Sequence, residues 1–168
     1  DIVDRINMEL KLEGSEPIRI TKNPAEAKYV LILASNNVRD ANAIQETMYE
    51  LESAAKHDLV CLCANPDVSS PMGGEIFYTA GYYAEEYIRL GKEVLYFGKP
   101  YKPLYSSVLL EFDVDDIDQF KKSKRILVIG DSMENDILGA HNIGVDSLLI
   151  GSTESVSECA EKLGRLVL

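Results

Sequence analysis

Cysteine, histidine and positive charge are scarce in this chain. Three cysteines and two histidines among 168 residues make neither an even disulfide set nor paired zinc knuckles. Cys61 and Cys63 alternate along an apolar run, which reads as two small side chains on one buried strand face in a reducing, cytoplasmic compartment. With 17 basic residues against 28 acidic ones the formal net charge is −11. A phosphate backbone would be repelled, so no nucleic-acid partner is expected. No run reaches the roughly 18 apolar residues of a membrane span, and the opening Asp1-Ile2-Val3-Asp4 resembles no signal peptide; a soluble protein with no membrane partner is expected. No glycine-rich loop opens a helix, which removes the commonest nucleotide cradle. An initiator methionine is lacking too, as in a processed product or a piece of a longer protein.

What is there is apolar material in alternating periods. Hydrophobic side chains make up 46% of the residues, enough for one domain or two small ones. Helical and strand spacings alternate, which predicts an α/β layered fold. Val3 to Leu12 reads as a helix, with Ile6 and Leu10 on one face, and Pro17 to Ile20 as a short strand. Tyr29 to Ala34 is an apolar run of strand length, Asn42 to Lys56 keeps helical spacing, and Leu59 to Ala64 is a second buried strand. Asn65 to Gly74 reads as a structured loop, followed by a helix of about four turns ending at Leu90. Three further strands are expected at Val94 to Phe97, Ile126 to Ile129 and Val145 to Ile150. Helices near Lys102 to Leu110 and Met133 to Asn142 fall between them.

The sharpest chemical feature is the strand that runs out at Gly130-Asp131 and is followed by Asp136 in the first turn of a helix. Carboxyl ends of parallel strands are where ligands bind. Asp131 offers a hard oxygen to a magnesium ion, while Asp136 can hold Asp131 or a metal-bound water and suits the positive helix end. Alone, the two carboxylates would also fit simple helix capping. The second feature is Gly98-Lys99-Pro100, where a fixed ammonium at a strand end can neutralise a phosphoryl oxygen. Alone, such a lysine fits an ordinary solvated charge.

Taken together, Gly98-Lys99-Pro100 and, about thirty residues on, a strand with Gly130-Asp131 and Asp136 resemble motifs three and four of phosphatases of the haloacid-dehalogenase (HAD) superfamily. Asn65-Pro66-Asp67 and Gly81-Tyr82-Tyr83-Ala84-Glu85 resemble the loop and helix of its subfamily IIA, the NagD-like enzymes. The resemblance implies a Rossmann-like core, of which this chain holds the C-terminal half over 93–168, and an α/β cap of the C2 type, most of which falls in 1–92. It implies Mg²⁺ as cofactor, Lys99 as the catalytic lysine, and Asp131 and Asp136 as the metal site. Asn65, Asp67, Ser69, Ser70 and Gly98 would face a small phosphorylated metabolite, and the cap would make homodimer contacts. Lys99 and Asp131 are expected to converge at neighbouring strand tips.

The Asp-x-Asp strand that such phosphatases use as nucleophile and acid is not met in its place before the cap. Asp113-Val114-Asp115 has the letters, but it lies where the chain must return along a helix, and it reads as part of an acidic surface stretch from Asp113 to Asp118. Ser35-Asn36-Asn37 could pass for the hydroxyl motif; its spacing favours a cap turn that uses asparagine for backbone reasons. His57, His141 and the tyrosines at 78, 82, 83 and 87 read as packed or solvated groups. Two rival readings stand beside the phosphatase: a non-catalytic relative that binds a phosphorylated ligand or partner through the same cleft, and a receiver-like or nucleotide-binding domain, which leaves Lys99, Asp131 and Asp136 unexplained.

Overall fold

The computed structural model of the chain describes residues 2–110, 126–151 and 155–166. Helix α1 spans Ile2–Leu12. The expected strand at Pro17 to Ile20 is not one. The Asn7 carboxamide accepts from the Ile18 N–H at 2.8 Å and donates to its carbonyl at 3.0 Å, so a side chain satisfies the backbone groups that a neighbouring strand would have used.

The first sheet is parallel, in the order β1-β3-β6, from β1 (Tyr29–Ile32), β3 (Val60–Cys63) and β6 (Val94–Tyr96). Ile32 lies beside Cys63, and Cys63 beside Tyr96. One face of this sheet carries Ile32, Cys61 and Cys63 and packs on α2 (Ala41–Ala55) and α3 (Ala80–Arg89). Leu51, Ala54, Ala55, Ala80, Tyr83, Ala84 and Tyr87 close the core. The two large rings at its centre keep their hydroxyls bonded, as buried tyrosines must. Tyr87 donates to the Leu59 carbonyl at 2.8 Å, and Tyr83 accepts from the Asn36 carboxamide at 2.7 Å. Burial pushes the Cys61 thiol up to about 12, with Cys63 adding to the effect, so it stays protonated and structural.

The opposite face of that sheet leaves Tyr29, Leu31 and Leu95 exposed. β6 is hydrogen-bonded to β3, so this sheet runs on to Tyr96.

A second, antiparallel sheet in the order β2-β5-β4 replaces the expected loop and the start of the expected four-turn helix. It comprises β2 (Asn36–Asn37), β4 (Ser69–Met72) and β5 (Glu75–Tyr78). Gly73 and Gly74 both have positive φ, 61° and 81°, which is what a two-residue hairpin turn demands. The chain therefore turns back on itself there, and α3 begins only at Ala80. Tyr78 accordingly lies on a strand and stacks on Tyr82 with ring centroids 3.9 Å apart.

The remaining elements are α4 (Lys102–Leu110), β7 (Leu127–Gly130), a π-helical turn over Met133–Ile137, α5 (Leu138–Ile143), β8 (Asp146–Leu149) and α6 (Val156–Leu166). Strands β7 and β8 pair in parallel with Ile129 beside Leu148, and both of those residues are exposed. The acidic stretch from Asp113 to Asp118 lies outside the described residues. Among the described residues no helix is long and apolar enough to cross a membrane.

Candidate active site

Strand β7 ends at Gly130, and the next turn is built around one buried carboxylate. Ser132 caps the turn by accepting the Asn135 N–H at 3.1 Å, a common use of serine at a helix start. The Ser132 carbonyl takes N–H groups from both Asp136 and Ile137, at 2.9 and 3.1 Å; the second of these bonds is the wide i→i+5 step frequent at functional sites. This folds Asp136 back over the strand end. Its Oδ2 accepts the N–H groups of Asp131 and Ser132 at 3.2 and 3.1 Å. Its Oδ1 accepts from Lys99 Nζ at 2.7 Å.

Lys99 arrives from the other direction, just past β6. The preceding Gly98 is buried because Pro66 sits on it; a Cβ at residue 98 would lie 2.2 Å from Pro66 Cδ. The ammonium thus reaches Asp136 from the end of the first sheet, with half of the Lys99 side chain exposed against 8% for Asp136. The hydrogen bond to Asp136, foremost, keeps the Lys99 ammonium protonated to higher pH than usual, against the opposing effect of burial. For Asp136, burial pushes the carboxyl up, but the Lys99 bond and the N–H groups of Ser132 and Asp131 together outweigh it and hold it below the usual carboxylate range.

Lys99 and the backbone N–H of Asp131 are therefore both bonded to the Asp136 carboxylate. Among the described residues β6 pairs with β3 and β7 with β8; what joins the two strand ends is Asp136. The Asp131 carboxylate itself is exposed and is bonded to no described residue, which leaves it free to bind a cation.

The Asn65-Pro66-Asp67 turn approaches from the first sheet. Asn65 Oδ1 accepts the Asp67 N–H at 3.1 Å. The Asp67 carbonyl accepts the Gly81 N–H at 3.0 Å and the Thr79 hydroxyl. Gly81 has no room for a side chain, since a Cβ would lie 2.0 Å from the Pro66 carbonyl. With its backbone held on both sides, Asp67 points its carboxylate at Asn135, whose Nδ2 donates to it at 3.1 Å. Asn135 is a site residue the sequence did not single out; its contact spans 68 residues and leaves no local signature. Ser69 and Ser70 are not in this loop. They lie on β4, opposite Tyr78 and Phe77, with their backbones committed to the hairpin. Gly98 lies against the Pro66 ring. His57 and His141 are both exposed and make no contact with this cluster.

The donor set suits a magnesium ion in part. Asp131 is a free hard-oxygen ligand, whereas both oxygens of Asp136 are engaged by Lys99 and two N–H groups. Among the described residues no group of three acidic, histidine or cysteine side chains could enclose a metal. Magnesium commonly takes one or two carboxylates and completes its shell with water and phosphate oxygens, and Asp131 fits that pattern.

The site thus holds an ammonium locked to a buried carboxylate at the end of a parallel strand. Residues 96–164 match the family model described as HAD-hydrolase-like. A haloacid-dehalogenase-like hydrolase from Brucella suis 1330 is 29% identical with a TM-score of 0.59, over 88% of this chain and 55% of that one. A p-nitrophenyl phosphatase from Archaeoglobus fulgidus shares the fold with a TM-score of 0.63 at 22% identity, over 94% of this chain and 56% of its own. NagD from E. coli K-12 does so at 0.59 and 19%, over 90% and 53%. No curated protein matches the sequence. Residues 96–164 are thus similar to the haloacid-dehalogenase-like hydrolases, the chain as a whole shares the fold of these structures, and it spans about half their length.

Proposed function

We propose that this chain is the cap and the C-terminal half of the core of a magnesium-dependent phosphatase that hydrolyses small phosphate monoesters in the cytoplasm. The observation that carries the reading is the Lys99–Asp136 bond of 2.7 Å set beside the unengaged carboxylate of Asp131. In this account residues 1–92 hold most of the cap, and 93–168, with Lys99, the C-terminal half of the core. The exposed apolar faces of both parallel sheets support a longer parent protein, since parallel sheets are ordinarily covered on both sides.

Lys99 would bind a phosphoryl oxygen and offset the repulsion between that group and an attacking carboxylate. Asp136 would hold Lys99 and the backbone of Asp131 in register. A magnesium ion bound at Asp131 would supply further charge neutralisation for the phosphoryl group. The attacking aspartate, and the acid that returns a proton to the leaving alcohol, would come from a segment outside this chain, and water would then cleave the resulting phosphoaspartate. Asn65 and Asp67 would face the leaving group from the cap, held to the core by Asn135. The cap would also join a second copy of the protein.

The test is hydrolysis of p-nitrophenyl phosphate by the intact protein in the presence of magnesium. Activity that falls by about a hundredfold or more in Lys99→Met supports the reading. Turnover unaffected by that substitution ends it.

A further inference from the structure

Tyr105 on α4 carries the one buried side-chain polar atom among the described residues that has no hydrogen-bond partner. Its hydroxyl is seated over Gly139 on α5, where a Cβ would come within 1.8 Å of it. Gly139 follows Asp136 by three residues, about one helical turn. Both members of the Lys99–Asp136 pair act on this phenol. Burial, first, and then the Asp136 charge raise its affinity for its proton, while Lys99 lowers it. A buried hydroxyl without a partner has given up water for nothing, and phenylalanine would fill the same space at no such cost.

The ion pair offers the missing partner. Asp136 Oδ2 is held by two N–H groups, whereas among the described residues Lys99 alone occupies Oδ1. A phosphoryl group that draws the half-exposed ammonium toward itself would strand that buried oxygen. We propose that Tyr105 is a positioning residue whose hydroxyl donates to Asp136 Oδ1 when Lys99 turns to a phosphoryl oxygen. The carboxylate then stays ionised and in place, and so do the N–H groups of Asp131 and Ser132 that it holds. This rests on the phosphatase reading and deepens it, because it gives Lys99 two positions and gives Asp136 a partner in each.

A double-mutant cycle on the intact protein, used in both arms, tests the exchange without any ligand. Tyr105→Phe alone leaves the folding constant from urea titration unchanged or higher. Lys99→Met lowers it about tenfold further in the Tyr105→Phe background than in the wild type, because only there does Asp136 Oδ1 lose both partners. Losses that add to within about twofold overturn the proposal. In a second arm, inorganic phosphate is titrated into wild type and Tyr105→Phe and followed by phosphorus NMR. Binding about tenfold weaker in the variant supports the exchange, and equal affinity in the two refutes it while sparing the phosphatase reading. Absence of phosphate binding by the wild type, with or without magnesium, overturns that reading and this proposal with it.

Discussion

The carboxylate of Asp136 lies against the α-carbon of Gly130, so closely that a Cβ there would sit 2.1 Å from Asp136 Cγ. The strand end and the acid that braces it are thus fitted to one another. Gly130→Ala is expected to cost about 1–3 kcal/mol in urea unfolding, because Asp136 must swing away from Lys99 to admit the methyl group. Gly164 in α6 has nothing within 4 Å, and Gly164→Ala is expected to add up to about 1 kcal/mol by helix propensity. Equal effects at the two positions would contradict the packing described.

The Asp136 carboxyl stands below the usual carboxylate range although burial, the largest influence, pushes it up; Lys99 and the two N–H groups prevail. A folded pKa below the unfolded one means that the stabilisation is fully present above the unfolded value and is lost as pH falls through the folded one. Asp136→Asn is therefore expected to cost about 1–3 kcal/mol at pH 7, a deficit that narrows below about pH 4. Lys99 is shifted the other way, chiefly by the same bond, so its contribution is complete below the ordinary lysine range and fades only above it. A deficit that grows on acidification would contradict this pairing.

The bond from Asn135 to Asp67 is exposed and should contribute little to global stability, on the order of 1 kcal/mol or less. Its removal in Asn135→Ala should act locally. Amide exchange at Asp67 is expected to quicken while exchange at Leu62, inside β3, stays as it was. Unchanged exchange at Asp67 would mean that Asn135 does not anchor the loop.

Gly81 and Gly98 both lie close against the same loop. A Cβ at 81 would meet the backbone carbonyls of Pro66 and Asp67, and one at 98 would meet the Pro66 ring. Gly81→Ala should be the costlier, about 3 kcal/mol against about 1 for Gly98→Ala, since a proline ring can pucker aside and a carbonyl held by Gly81 and Thr79 cannot. Thermal unfolding of the two variants decides the order.

Much of this was legible in the residues. The runs at Tyr29 to Ala34 and Leu59 to Ala64 are apolar for their whole length, as parallel strands covered by helices must be, and they were placed to within a residue or two. Asp131, Asp136 and Lys99 stood out because glycine precedes the first and the last of them at strand ends. The hairpin at Gly73-Gly74 is hard to read from sequence, because Glu75 to Tyr78 also fits a helical stripe leading into α3, and only the two adjacent glycines mark the reversal. The bonds from Asn7 to Ile18 and from Asn135 to Asp67 depend on tertiary placement of polar side chains, which no periodicity encodes. The joining of Lys99 to Asp131 through Asp136, between two separate sheets, was hidden for the same reason.

The most direct test is the rate at which the intact protein, saturated with magnesium, releases p-nitrophenol from p-nitrophenyl phosphate before and after Asp131→Asn. The account predicts loss of that activity by a factor of about a hundred or more, with the thermal unfolding midpoint of the variant unchanged because the carboxylate braces no described residue. Turnover equal to wild type in a folded Asp131→Asn protein would contradict it.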